Sequence, residues 1–180
     1  RLIFVTGPVT ATTGFCGSRW QVCGKSPLHN HFSYCNLGGD WGARLKMAGY
    51  DALVVHGKAE RPVYLWIRPD EVELRPADHL MGKGAIACRE ELNRQLGNAA
   101  RVVAIGPAGE NRVRFANLLA DRDASGSSGL AAVMGAKNLK AVAVTGSRKV
   151  AAAAPDRVRE IKKQFLGMMS GLDSEYYDAV

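Results

Sequence analysis

Two glycine-rich turns in this chain could present backbone amides to an anion: Asn36-Leu37-Gly38-Gly39-Asp40-Trp41-Gly42 and Ala124-Ser125-Gly126-Ser127-Ser128-Gly129. Without a Cβ, the main chain at Gly38 or Gly126 can approach a negatively charged group closely. Each turn opens a short apolar segment that reaches an Ala/Gly pair (Ala48-Gly49, Gly135-Ala136), then a strand-like run (Ala52 to Val55, Ala141 to Val144), then Gly57 or Gly146. Upstream, Leu2-Ile3-Phe4-Val5-Thr6-Gly7-Pro8 and Val102-Val103-Ala104-Ile105-Gly106-Pro107 both end an apolar run in Gly-Pro. Gly38 and Gly57 stand 19 positions apart, Gly126 and Gly146 stand 20 apart, and the pattern reads as an internal duplication. Two halves packed about a pseudo-two-fold axis would bring the turns together, which suits a ligand with two similar anionic halves. The alternative is that the glycines only close turns, the default for any single Gly-rich loop.

Other side chains could carry chemistry. Arg19, after Gly14-Phe15-Cys16-Gly17-Ser18, offers a permanently charged planar fork that fits phosphate oxygens, with a surface salt bridge as its other reading. His29-Asn30-His31 with Cys35 has the donor types of a zinc or iron site, but no fourth ligand is evident, which favours structural or surface roles. Asp121, Arg122 and Asp123 flank the second turn, either as a charged site or as solvated ion pairs. Gly106-Pro107-Ala108-Gly109-Glu110-Asn111 could aim Glu110 or Asn111 at a ligand, with a plain turn as the default.

The elements that must position these groups follow from periodicity. Strands are predicted at Trp20 to Cys23, His31 to Cys35, Ala52 to Val55, Val63 to Ile67, Glu71 to Arg75, Val102 to Ile105, Val113 to Leu119 and Ala141 to Val144. In Glu71 to Arg75 the alternation of Val72 and Leu74 with charge predicts one wet, charged face. Helices are predicted at Asp40 to Met47, with Trp41, Leu45 and Ala48 on one side and Gly49 as the cap, and at Gly84 to Leu96, striped by Ala85, Cys88, Leu92 and Leu96. A brief helix runs through Ala131 to Met134, and another from Pro155 to Gly167 carries Val158, Ile161, Phe165 and Met168 at helical spacing. Hairpins outnumber strand-helix-strand units, so the class is α+β with two sheets. A Rossmann unit is excluded, because neither turn has the G-x-G-x-x-G spacing into a long helix.

At 180 residues with 47% hydrophobic content the chain suits one substantial domain. With 24 Lys and Arg against 17 Asp and Glu the formal charge is +7, spread rather than blocky and without a nucleic-acid-binding signature. No apolar run approaches the ~20 residues of a membrane span. The four cysteines form no C-x-x-C pair, which argues against an iron–sulfur cluster within the segment. A start inside a strand without an initiator Met, and a terminal helix, predict a fragment of a longer protein; the missing leader predicts the cytoplasm.

Over residues 2 to 150 the chain resembles the N-terminal domain of the tungsten-containing aldehyde:ferredoxin oxidoreductase family. The resemblance rests on Gly7-Pro8, Lys25-Ser26-Pro27-Leu28, Gly42-Ala43-Arg44-Leu45-Lys46, Ala48-Gly49-Tyr50-Asp51-Ala52, Gly57-Lys58-Ala59-Glu60 and Pro62-Val63-Tyr64. It continues through Ile105-Gly106-Pro107-Ala108-Gly109-Glu110-Asn111 and Ala132-Val133-Met134-Gly135-Ala136-Lys137-Asn138-Leu139-Lys140-Ala141. It implies a two-sheet, pseudo-two-fold base (residues 1–150) for a tungsten, or molybdenum, bis-pyranopterin with Mg2+ bridging the pterin phosphates, followed by the start of a helical domain (151–180). By resemblance Arg19 contacts a phosphate, Asn36 and Ala124 lend backbone carbonyls to the magnesium, and Gly38 and Gly126 let backbone meet the pterins.

The second turn departs from the family pattern. Relatives commonly place arginines where this chain has Asp123 and Ser127, so Arg122 is the expected substitute for the phosphate contact. The implied activity is oxidation of an aldehyde to a carboxylic acid, with electrons passed to ferredoxin or an electron-transfer subunit. The catalytic residues and a [4Fe-4S] cluster would lie outside these residues, so the fragment alone is expected to be inactive. A benzoyl-CoA-reductase-type subunit is the family alternative, and a cofactor-free anion-binding or scaffolding domain is the alternative from another class. Nucleic acid and membrane are not expected partners, and a homodimer is left open.

Overall fold

The computed structural model describes residues 1–12, 17–121 and 124–170. Alternation in Leu2-Ile3-Phe4-Val5-Thr6 makes β1 (Leu2–Thr6) a strand that buries Leu2 and Phe4 on one face. It pairs antiparallel with β2 (Trp20–Lys25), which pairs antiparallel with β3 (Phe32–Leu37). Helix α1 (Trp41–Met47) follows, and β4 (Ala52–Val55) returns to the other edge of β1. A hairpin of β5 (Val63–Arg68) and β6 (Glu71–Pro76), a 3-10 turn at Asp78–Leu80 and α2 (Ala85–Leu96) lead to β7 (Arg101–Ile105). Then come α3 (Pro107–Glu110), β8 (Leu118–Leu119), β9 (Ser125–Gly126), α4 (Leu130–Ala136), β10 (Leu139–Val144) and α5 (Pro155–Ser170).

The first sheet has the order β3-β2-β1-β4, and the second contains β9-β8-β7-β10 with β5 and β6 added beyond β10. Within each four-strand set every neighbouring pair is antiparallel, and a short helix joins the third strand to the fourth. The duplication read from the glycines is thus present in the topology, and the fold is α+β with two sheets.

The two copies share one core. Helix α1 packs on β1, β7 and β10, and α4 packs on β1, β2, β7 and β10, so each helix touches both sheets. Trp20 and Trp41 lie with ring centroids 4.4 Å apart, Phe4 stands 5.5 Å from Trp41, and the Trp41 indole donates to the Val142 carbonyl at 3.0 Å. The outer face of the second sheet is covered by α2, where Cys88 and Leu92 pack on Tyr64, Val102, Ala104, Ala141 and Ala143. Small side chains on β7 and β10 let the helix approach closely. Among the described residues no helix covers the outer face of the first sheet, where Tyr34 and Val54 are exposed.

Burial pushes the Cys35 and Cys88 thiols up to about 11. At pH 8 the thiolate fraction of each is therefore about 100-fold below that of an ordinary cysteine, and alkylation by iodoacetamide is expected to be slower by about that factor. Mass spectrometry of the native protein checks this; rapid labelling of either residue would contradict the packing.

Two expectations fail. Residues 113–117 turn instead of extending: the Val113 amide donates to the Ala108 carbonyl and the Ala116 amide to Val113, leaving β8 only two residues long. Pro107 opens α3, which ends at Glu110, and hydrogen-bonded turns follow it in place of a strand. In β6 the wet face is inverted, with Val72 and Leu74 47% and 66% exposed. The charged alternates are held down by Trp66, whose ring lies 4.0 Å from the Arg68 guanidinium and 4.1 Å from that of Arg75, with Glu73 bonded to both arginines. Leu74 instead lines a groove of about 310 Å³ with Leu53, Val55 and Leu65. In α5 no residue is buried, so its apolar stripe lies open.

Candidate functional site

The register of the first sheet places Val5, Gln21 and Asn36 opposite one another across β1, β2 and β3. Side chains in such a row share a face, and the Gln21 amide donates to Asn36 Oδ1 at 2.7 Å. Arg19, exposed immediately before β2, stands beside this row, and these residues line a pocket of about 340 Å³ with Thr6 and Gly7. A Cβ on Gly38 would come 3.9 Å from Arg19 Nη1, so the bare face of the glycine looks toward the guanidinium. The loop is held there by the Trp20 indole, which donates to the Gly38 carbonyl at 2.8 Å.

The second loop lies against the first. The Ala120 amide donates to the Ala124 carbonyl at 2.8 Å. Arg122 and Asp123, which stand between these two in sequence, lie outside the described residues. Strand β9 packs on β3, where a Cβ on Gly126 would fall 2.7 Å from Cys35 Sγ and 2.8 Å from Leu118 Cδ1. Only glycine permits that approach. Exposed Ser127 follows, its backbone bonded to the Cys35 thiol, and Ser26 Oγ donates to the Ser128 carbonyl at 2.7 Å.

Asp121, 7% exposed, joins the loops directly. Its carboxylate accepts the Asp40 amide at 2.6 Å and the Trp41 amide at 2.9 Å. These amides form the first turn of α1, so the groups that could have cradled an external anion already hold an internal one. Asp40, at the N-cap position of α1, makes no side-chain capping bond, and of the two readings open for Asp121 the structure shows neither solvated ion pairs nor a free charge but a bond to this helix start. No signal in the sequence joins positions 80 residues apart.

Arg19 and Asn36 thus line one pocket, Gly38 stands beside Arg19, and Ala124, Gly126 and Ser127 lie on the loop stitched to the first. The metal-like set does not assemble: His29 and His31 are exposed, Cys35 is buried beneath Gly126, and among the described residues no three His, Cys, Asp or Glu side chains are grouped for a metal. Glu110 points inward, paired with buried Lys140, and the Asn111 side chain bonds back to the Pro107 carbonyl. Both are structural. Among the described residues no helix is long and apolar enough to cross a membrane.

Comparison with known proteins matches residues 1–146 to the aldehyde ferredoxin oxidoreductase N-terminal domain. The chain is 46% identical over 152 residues to a tungsten-containing aldehyde ferredoxin oxidoreductase of Pyrococcus furiosus, covering 83% of this chain and 25% of that protein. It is 38% identical over 160 residues to the WOR-like subunit of an aliphatic sulfonate oxidoreductase of the same organism, covering 81% of this chain and 25% of the relative. Among solved structures, the active-site complex BamBC of benzoyl coenzyme A reductase with 1,5-dienoyl-CoA superposes with a TM-score of 0.91 at 39% identity, over 94% of this chain and 26% of that one. The chain therefore spans about a quarter of the length of these relatives. A domain match over most of its residues and this level of identity place the chain in the aldehyde ferredoxin oxidoreductase family, within its N-terminal domain.

Proposed function

We propose that this domain holds a tungsten, or molybdenum, bis-pyranopterin in an enzyme that oxidises aldehydes to carboxylic acids and passes the electrons to ferredoxin. The observation that supports the reading is a pocket lined by Arg19 and Asn36, with Gly38 beside the Arg19 guanidinium and the duplicate loop fastened to the loop that carries Gly38. The residues suit a phosphate-bearing group: a guanidinium faces a glycine whose missing side chain leaves room beside it, and hard carbonyl oxygens at Asn36 and Ala124 suit magnesium. On the second side Arg122 is the proposed phosphate contact, next to Asp123 and Ser127, with Gly126 bringing the backbone close.

When bound, the group supplies two-electron redox chemistry: aldehyde and water give carboxylic acid, two protons and two electrons. The chain's own part is to neutralise phosphate charge through Arg19, to orient the cofactor halves through the two loops, and to fix those loops on a rigid double core. The catalytic acid or base and a [4Fe-4S] cluster belong to the rest of the protein.

Elemental analysis of the full-length protein, purified anaerobically from a tungstate-supplied host that makes the cofactor, tests the reading together with pterin fluorescence after oxidation. About one metal and two pterins per chain are expected. Neither would overturn it in favour of a cofactor-free anion-binding scaffold. The superposition on the benzoyl coenzyme A reductase complex favours a second reading within the family, reduction of an aromatic thioester. Viologen-coupled assays of the full-length protein with aldehydes and with benzoyl-CoA separate the two.

A further inference from the structure

We propose that Asp121 is a positioning residue that sets the spacing between the two halves of the cofactor site, an inference that rests on the cofactor reading above. Its side chain and its main chain serve different loops. The carboxylate holds the Asp40 and Trp41 amides of the first loop, while its own carbonyl accepts the Ala124 amide of the second at 3.3 Å. One buried residue thus fixes the loop carrying Gly38 against the loop carrying Ala124, Gly126 and Ser127.

The first loop is shaped to receive it. Gly39 has φ +73°, and a Cβ there would fall 2.7 Å from Asp121 Oδ2 and 2.8 Å from its carbonyl oxygen. Any side chain at position 39 would push the loops apart. Both carboxylate oxygens accept amides, so the negative charge is absorbed by the first turn of α1 instead of facing a phosphate. The guanidinium of Arg19 is left as the anion contact of this half. Charge-assisted bonds of this kind are about twice as strong as neutral ones.

Asp121→Asn keeps the volume but replaces one acceptor oxygen with an NH2 group aimed at an amide donor. In the full-length protein it is expected to speed hydrogen exchange of the peptide containing Asp40 and Trp41 about tenfold, and to lower retained metal and pterin on gel filtration by a similar factor. Gly39→Ala, which attacks the same contact from the other loop, is expected to do likewise. Leu92→Ala, on the inner face of α2 against Tyr64, Val102 and Ala143, serves as the control: it lowers the melting temperature yet keeps the cofactor. A merely structural role for Asp121 would make cofactor loss track melting temperature across the three variants. Unchanged exchange, or cofactor content equal to that of the unsubstituted protein, would overturn the assignment. Absence of metal and pterin from the unsubstituted protein would instead be the failure of the cofactor reading, visible before any variant is compared.

Discussion

Glu110→Ala is expected to destabilise the fold by about 3–5 kcal/mol, the cost of removing one partner of a buried ion pair. The Lys140 side chain has no exposed surface, and its ammonium donates to the Lys83 carbonyl at 2.8 Å, to the Ile105 carbonyl at 2.6 Å and to the Glu110 carboxylate. Glu110, 10% exposed at its side chain, also accepts the Gly82 amide at 3.0 Å. Alanine leaves the ammonium two carbonyls and no anion. The pair gathers the end of β7, the end of α3 and the turn before α2 at the second Gly-Pro corner, the duplicate of the corner that lines the Arg19 pocket. Lys140→Met with Glu110→Leu is expected to recover most of the loss, since apolar replacement of both partners removes the unpaired charge. Urea midpoints of the single and double variants measure it. A single variant as stable as the unsubstituted protein would show that the ammonium is solvated instead.

Much of the fold was legible because duplication and periodicity are local signals. Gly7-Pro8 and Gly106-Pro107, with the two Gly-rich turns, sit at matching places in the four-strand sets, and the stripes on α1 and α2 bury as the spacing predicts. The failures arise where distant contacts decide. Glu73 and Arg75 turn inward because Trp66, on the neighbouring strand, offers a ring for two guanidiniums, which no pattern within β6 encodes. The sequence offers Gly126 as an opening for a ligand; the structure adds that its bare face receives Cys35 and Leu118. The sequence marks Asp121 as a charged neighbour of the second turn but not its role, because its partners belong to a loop 80 residues away.

The legible part of the site leads to the other large effect. Arg19→Ala is expected to weaken cofactor retention about 10- to 100-fold, the loss of a charge-assisted bond of about 1.5–3 kcal/mol. The side chain is exposed, so the melting temperature of the cofactor-free protein should hardly move, as is usual for surface positions. Lysine at this position keeps the charge but not the planar fork, and should fall between the two. Gly38→Val tests the same space from the loop side: the first atom of its side chain would stand 3.9 Å from the guanidinium, an ordinary contact, while the branch beyond it fills the opening. Retention of metal and pterin after gel filtration reads all three variants. If Arg19→Ala keeps its full complement, the phosphate lies elsewhere and the pocket between β1, β2 and β3 is not the first half-site. If Arg19→Ala and Gly38→Val both release it while Lys137→Ala, in the separate groove beside β4, does not, the anion is located at that pocket.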